Sequence, residues 1–147
     1  VAGEGFRKNR AAGENIIPSI TNSSKVIETV LPELSQKIAS FSMTVPVPDG
    51  STIDLTLNLK NITTKDEINS FFDERTIKDD LHKIIGITYD PIVSSDVVGN
   101  SLSGIVDGLS TMCIADNKLK LIVWFDNGWG YASRIIEAVT MLGSQFE

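Results

Sequence analysis

The chain has 147 residues, with 13 Lys and Arg against 19 Asp and Glu, a formal net charge of −6 and a pI near 4.7. Hydrophobic residues make up 41% and charged residues 22%, a balance that excludes a disordered or fibrous chain and suits one domain with one core. The acidic excess argues against nucleic-acid binding, and no uncharged apolar run approaches the ~20 residues that span a bilayer. The single Cys113 excludes an internal disulfide and a cysteine-based zinc site, in keeping with a reducing, cytoplasmic setting. Val1 to Phe6 does not read as a signal peptide. A start at Val rather than Met fits the later part of something longer.

In chain order, Val1 to Gly13 is a Gly-rich loop carrying Arg7, Lys8 and Arg10. Thr21 to Ser24 offers N-cap residues for a helix whose apolar face is Val26, Ile27, Val30 and Leu31, closed by Pro32. The period then changes to two. Phe41, Met43 and Val45 alternate with polar residues, as do Ile53, Leu55, Leu57 and Leu59. With the turn cluster Pro46 to Gly50 between them, two antiparallel strands with one wet face are expected. Thr64-Lys65-Asp66-Glu67 has capping-box spacing and opens a helix carrying Ile68, Phe71 and Phe72. Leu81 to Ile87 is a short apolar segment. Val93 to Val98 and Gly104 to Asp107 read as short strands joined at Gly99-Asn100. Met112 to Ala115 and Leu119 to Phe125 read as a hairpin around Asp116-Asn117. A closing helix from Ser133 places Ile135, Ile136, Val139 and Leu142 on one stripe. Paired strands with a few helices imply an α+β fold: a largely antiparallel sheet covered on one side by helices, with a C-terminal helix.

Taken alone, the residues carry little chemistry. His82 sits among charged neighbours and reads as a surface histidine. Cys113, between Met112 and Ile114, reads as a structural thiol because no neighbouring cation lowers its pKa. No Gly-rich phosphate loop, metal-ligand spacing or Ser-His-Asp signature occurs. Three features stand apart. The Arg7/Lys8/Arg10 cations either converge on an anion or form a solvated basic loop. Ser19 to Ser24 places hydroxyls and free N–H groups at a helix start, which suits phosphate or simple capping. Trp124-Phe125-Asp126-Asn127-Gly128-Trp129-Gly130-Tyr131 joins strand to helix, where an amide and a phenol either pack or line a pocket.

Arg10-Ala11-Ala12 through Asn15-Ile16-Ile17-Pro18, then Val30-Leu31-Pro32-Glu33-Leu34, resembles the catalytic domain of phosphorylating glyceraldehyde-3-phosphate dehydrogenase. The resemblance continues through Val45-Pro46, Asp54-Leu55-Thr56, Asp90-Pro91-Ile92-Val93-Ser94-Ser95-Asp96 and Trp124-Phe125-Asp126-Asn127 to Gly130-Tyr131. It implies that residues 1–147 are the C-terminal, catalytic domain, incomplete at its N-terminal side and without the Rossmann domain that binds NAD. In the family a cysteine attacks the aldehyde, a histidine is its base, hydride passes to the nicotinamide and phosphate releases the acyl group. The family's nucleotide fingerprint and both catalytic residues precede this chain's start, so no catalytic residue is expected here, and the lack of metal-ligand spacing predicts no metal site. Cys113 and His82 do not take their places.

Residue by residue, the resemblance implies that Arg7, Lys8 and Arg10 end the S-loop at a subunit interface of a homotetramer. It implies that Thr21, with Asn22, holds the attacking phosphate, that Asn127 bonds the nicotinamide carboxamide, and that Tyr131 packs by the ring. The last helix corresponds to one that folds onto the nucleotide domain. The family usually has Gly at Asn22, Glu at Gly128, and an Arg at Thr44 that binds phosphate. Losing that charged contact is worth roughly 1.5–3 kcal/mol. The expected partners are a sugar phosphate and inorganic phosphate, with neither nucleic acid nor membrane. A sister sugar-phosphate aldehyde dehydrogenase and a non-catalytic interaction module are the alternatives.

Overall fold

The structure, a computed structural model, describes residues 5–7, 9–78, 80–114 and 117–144. The chain divides into two compact units, Val1–Pro48 and Asp49–Glu147.

In the first unit, strand β1 (Ile17–Ser19) pairs antiparallel with β2 (Ser42–Thr44), Ile17 opposite Thr44 and Ser19 opposite Ser42. Helix α1 (Ser23–Val30) lies between them in sequence and runs into a 3-10 turn, Pro32–Leu34. Asn22 is its N-cap without a side-chain bond. The hydroxyl of Thr21 does that work, accepting the Ser23 N–H at 3.2 Å. Val26, Val30 and Leu31 are all exposed.

In the second unit, β3 (Ser51–Asn58) pairs with β7 (Lys118–Phe125) along its whole length, Leu55 opposite Leu121 and Leu57 opposite Leu119. The opposite edge of β7 takes β6 (Met112–Ile114) near its start and β5 (Gly104–Asp107) near its end. Beyond β5 lies β4 (Ile85–Thr88), and that pair is parallel. The fold is α+β with a mixed, mainly antiparallel sheet of order β3-β7-β5-β4. Helix α2 (Lys65–Lys78) supplies Ile68 and Phe72 to a core built on Val106, Leu119 and Leu121, which Cys113 also joins. Its capping box is present: the Thr64 hydroxyl accepts the Glu67 N–H at 3.2 Å, and the Glu67 carboxylate accepts the Thr64 N–H at 2.9 Å. The bond from the Thr64 backbone, then those from the Thr63 and Thr64 hydroxyls, hold the Glu67 carboxyl below its ordinary pKa.

Three expectations are corrected. The hairpin expected over 41–59 does not form, because β2 pairs with β1 and β3 with β7. Pro46 and Pro48 fix φ and remove two N–H donors from any strand ladder there. Val93 to Val98 is no strand: Ser94–Val97 is a 3-10 turn closed by the Asp96 carboxylate, which accepts the Val93 N–H at 2.7 Å. The last helix, α3 (Asn127–Gly143), starts at Asn127 instead of Ser133, because Asp126 caps it. At the β6–β7 turn Asn117 has φ +66°, a conformation asparagine tolerates; its partner Asp116 lies outside the described residues. Among the described residues no helix is long and apolar enough to cross a membrane.

Candidate functional site

The second unit holds an open cleft of about 330 Å³ at the start of α3, lined among others by Ser103, Phe125, Asn127, Tyr131 and Arg134. Asp126, buried, makes the corner. One carboxylate oxygen accepts the N–H groups of Gly128 and Trp129, each at 2.8 Å, and the other accepts the Gly99 N–H at 2.8 Å. These bonds, led by that from Gly99, outweigh the cost of burial and keep the carboxyl below its ordinary pKa. A fixed anion thus sits at the positive end of α3. Asn127 opens the helix and Tyr131 follows four residues later, so the amide and the phenol share one helical face. Both are exposed.

Arg134 completes that face. Its guanidinium donates to the Ser103 hydroxyl at 3.1 Å and the Lys83 carbonyl at 3.2 Å, and pairs with Glu137 at 2.6 Å. Just ahead of the corner, buried Asp107 ties β5 to β7. Its carboxylate accepts the Ser110 N–H and hydroxyl, each at 2.9 Å, and the Trp124 indole N–H at 3.2 Å. Burial pushes this carboxyl up, but the bonds from Ser110, Trp124 and the Leu109 backbone together leave it below its ordinary pKa.

Of the residues singled out by sequence, Asn127 and Tyr131 are brought together at the cleft. In the first unit Thr44 stands opposite Ile17, while Thr21 follows β1 two residues past its other end. Thr21 and Asn22 are neighbours in the turn before α1, but Thr44 does not join them. The hydroxyl of Thr21 lies 2.7 Å from that of Ser23, and the Ser24 N–H goes to the Ser40 hydroxyl at 3.2 Å. The Ser23 and Ser24 N–H groups at the start of α1 are thus bonded to the Thr21 and Ser40 hydroxyls. Arg7 and Arg10 are exposed, and the Arg10 guanidinium lies 5.6 Å from the centre of the Phe6 ring. Lys8 and the side chain of His82 lie outside the described residues. Cys113 is half-buried against the core. No group of three or more His, Cys, Asp or Glu suited to a metal occurs among the described residues.

Sequence reasoning missed Ser103 and Arg134. Asn127, Tyr131 and Arg134 fall at i, i+4 and i+7, a signal that shows only once the helix is known to start at Asn127. Chemically, an amide and a phenol along an open cleft can bind and orient a ligand, while the guanidinium is already engaged by Ser103, Lys83 and Glu137. Asn127 offers an amide donor and acceptor there, and Tyr131 an aromatic surface.

The sequence profile of the family "Glyceraldehyde 3-phosphate dehydrogenase, C-terminal domain" matches residues 2–127. The chain is 47% identical to the glyceraldehyde-3-phosphate dehydrogenase of Borreliella burgdorferi over 138 residues, covering 93% of this chain and 41% of that protein. It is 41% identical over 140 residues to glyceraldehyde-3-phosphate dehydrogenase 2 of Streptomyces avermitilis, covering 95% and 42%. Against the cytosolic glyceraldehyde-3-phosphate dehydrogenase of Pinus sylvestris it is 39% identical over 139 residues, covering 95% and 41%. The chain thus spans about two-fifths of the length of these curated relatives.

Proposed function

This chain belongs to the glyceraldehyde 3-phosphate dehydrogenase C-terminal domain family, and on that premise we propose that it acts as part of a phosphorylating, NAD-dependent glyceraldehyde-3-phosphate dehydrogenase. That enzyme is a glycolytic oxidoreductase that turns glyceraldehyde 3-phosphate, NAD and phosphate into 1,3-bisphosphoglycerate and NADH. The observation that carries the proposal is the convergence of Asn127 and Tyr131 on one cleft. When bound, NAD supplies the hydride acceptor. The carboxamide of Asn127 would hold that of the nicotinamide, and Tyr131 would stand by the ring. Thr21 and Asn22 are the proposed phosphate contacts, with Thr44 in the position of a phosphate-binding arginine. Arg7, Lys8 and Arg10 are the proposed interface segment of a cytoplasmic homotetramer. The 147 residues alone are inactive in this reading, since nucleophile and base lie in the preceding part of the family's chain.

Two preparations test it: the 147-residue chain, and the full reading frame that encodes it, each assayed for NADH formation from glyceraldehyde 3-phosphate, NAD and phosphate. Turnover by the frame and none by the chain is expected. A frame that forms no NADH overturns the enzyme, and turnover by the isolated chain overturns its inactivity. Light scattering of the frame across concentrations tests the tetramer. Thr44 favours one second reading, a sister enzyme for another sugar-phosphate aldehyde. A preference for tetrose over triose phosphate would establish it in place of the first.

A further inference from the structure

We infer that Gly130 and Arg134 are positioning residues that set the depth and rotation of α3, and with them where Asn127 and Tyr131 stand. The inference rests on the reading of the cleft as cofactor-facing. Asp126, Gly130 and Arg134 recur every four residues, a row that drifts round the helix and meets the Asn127–Tyr131 face at Arg134. All three meet the same short segment. Asp126 takes the Gly99 N–H at 2.8 Å. A Cβ at buried Gly130 would lie 2.8 Å from the Leu102 carbonyl oxygen, so the helix backbone approaches that segment as closely as glycine allows. Arg134 reaches the Ser103 hydroxyl at 3.1 Å. Ser103 is itself fixed, its N–H donating to the Ile84 carbonyl at 2.7 Å. The guanidinium is held by its terminal nitrogens, since its Nε is buried without a partner.

Asn127 and Tyr131 form the adjacent stripe, each one residue beyond a gripping position. Any rotation of α3 about its axis therefore moves both together. Apolar packing does not back up this grip, because Ile135, Ile136 and Val139 beyond it are exposed. Among the described residues, the rotation of the helix is set by Asp126, Gly130 and Arg134.

The test uses the full reading frame with Arg134→Met, Arg134→Lys and Gly130→Ala, reading kcat and KM for NAD and for the aldehyde separately. A displaced ring-binding group costs roughly tenfold to a hundredfold. KM for NAD should rise by about that much in Arg134→Met and Gly130→Ala, with KM for the aldehyde unchanged. Arg134→Lys, which keeps the charge but can reach only part of the guanidinium's three partners, should recover part of it. A merely structural role would lower the active fraction, and so kcat, with neither KM moved; that result overturns the inference. Should the unsubstituted frame form no NADH, the proposed function fails on its own. The inference is then decided by NMR on the same proteins. Shifted signals of the Asn127 carboxamide and the Tyr131 ring in Arg134→Met support it, and unmoved signals overturn it.

Discussion

Replacing Asp107 with asparagine removes a charge without changing shape, and the geometry says where the damage falls. Besides the bond from the Leu109 backbone, the carboxylate receives two bonds on one oxygen, from the Ser110 hydroxyl and the Trp124 indole, and one on the other, from the Ser110 N–H. An asparagine amide must point its NH2 at one of these sites. Turned toward Ser110 N–H it meets a donor, and turned the other way it meets the indole N–H. Only the hydroxyl can reverse its role, so either orientation leaves one partly buried donor unpaired. That donor costs about 1–3 kcal/mol, and the surviving bonds lose their charge assistance, for a total of about 2–4 kcal/mol. Ser110→Ala, which removes the hydroxyl bond alone, should cost about 1–2 kcal/mol. Urea unfolding at pH 7 followed by tryptophan fluorescence reads both, since Trp124 and Trp129 lie in Asp49–Glu147. At a slope of roughly 2 kcal/mol per molar urea, Asp107→Asn should lower the midpoint by about 1–2 M with the slope unchanged. The pH dependence has a definite sign. A folded-state pKa below the ordinary 3.8 means that the stabilisation is complete above the unfolded-state value and fades as pH falls through the folded one. The gap between the wild-type protein and Asp107→Asn should therefore narrow below about pH 4. Equal midpoints at pH 7, or a gap that widens in acid, would refute the reasoning.

Three further outcomes are expected. Thr64→Ala should destabilise α2 by about 1 kcal/mol by removing the hydroxyl that takes the Glu67 N–H; an unchanged thermal unfolding curve by circular dichroism would count against it. Tyr89 donates to the Asp73 carboxylate at 2.7 Å, and that bond, with burial and the charges of Asp73 and Asp66, pushes its phenol up to about 12. In a Tyr131→Phe background it is the sole tyrosine, so its absorbance should titrate near that value and fall toward 10 when Asp73→Asn is added. Gly50 has φ +81°, and a Cβ there would lie 1.9 Å from the Ser94 carbonyl oxygen. Gly50→Ala should thus cost more than the roughly 1–2 kcal/mol of a left-handed conformation alone, and a melting point equal to that of the parent would show that the turn is not so constrained.

The features legible in sequence were those in which one residue type does one job at a fixed spacing. The Thr64–Glu67 box is such a case, since cap and reciprocal acceptor stand three residues apart and need no tertiary partner. The alternation of Ile53, Leu55 and Leu57 likewise gave a strand with a defined apolar face. What alternation does not carry is the identity of the neighbour: a period of two is satisfied equally by β2 and by β7, and only the eight-residue match between 51–58 and 118–125 decides. Val93 to Val98 reads as a strand on its three β-branched valines, yet a single carboxylate, Asp96, closes it into a turn. The true start of α3 was hidden by Gly128 and Gly130, which weaken a helix in isolation. Gly130 is there because Leu102 leaves no room for a side chain. With the start hidden, the face that unites Asn127, Tyr131 and Arg134 was hidden too; the resemblance supplied the first two and nothing supplied the third.

The same distinction explains the apolar residues that remain exposed. On α3, Ile135, Val139 and Leu142 are 48%, 63% and 57% exposed although they recur at helical spacing, and on α1 Val26 and Val30 behave alike. Scattered surface apolar residues are ordinary, but periodic ones mark a contact stripe. Periodicity states which side of a helix is made for contact; it does not state that the contact lies in the same chain. Completing the burial of a valine or leucine is worth up to about 1.5–3 kcal/mol, so a stripe of three leaves several kcal/mol unrealised, a sizeable fraction of the ~5–15 kcal/mol that holds a domain together. A helix gripped at Asp126, Gly130 and Arg134 but bare beyond them is well placed by its first two turns and offers the rest to another surface. That division suits a chain spanning about two-fifths of its relatives' length, and it supports the proposal that the cleft residues work in company with a nucleotide-binding domain.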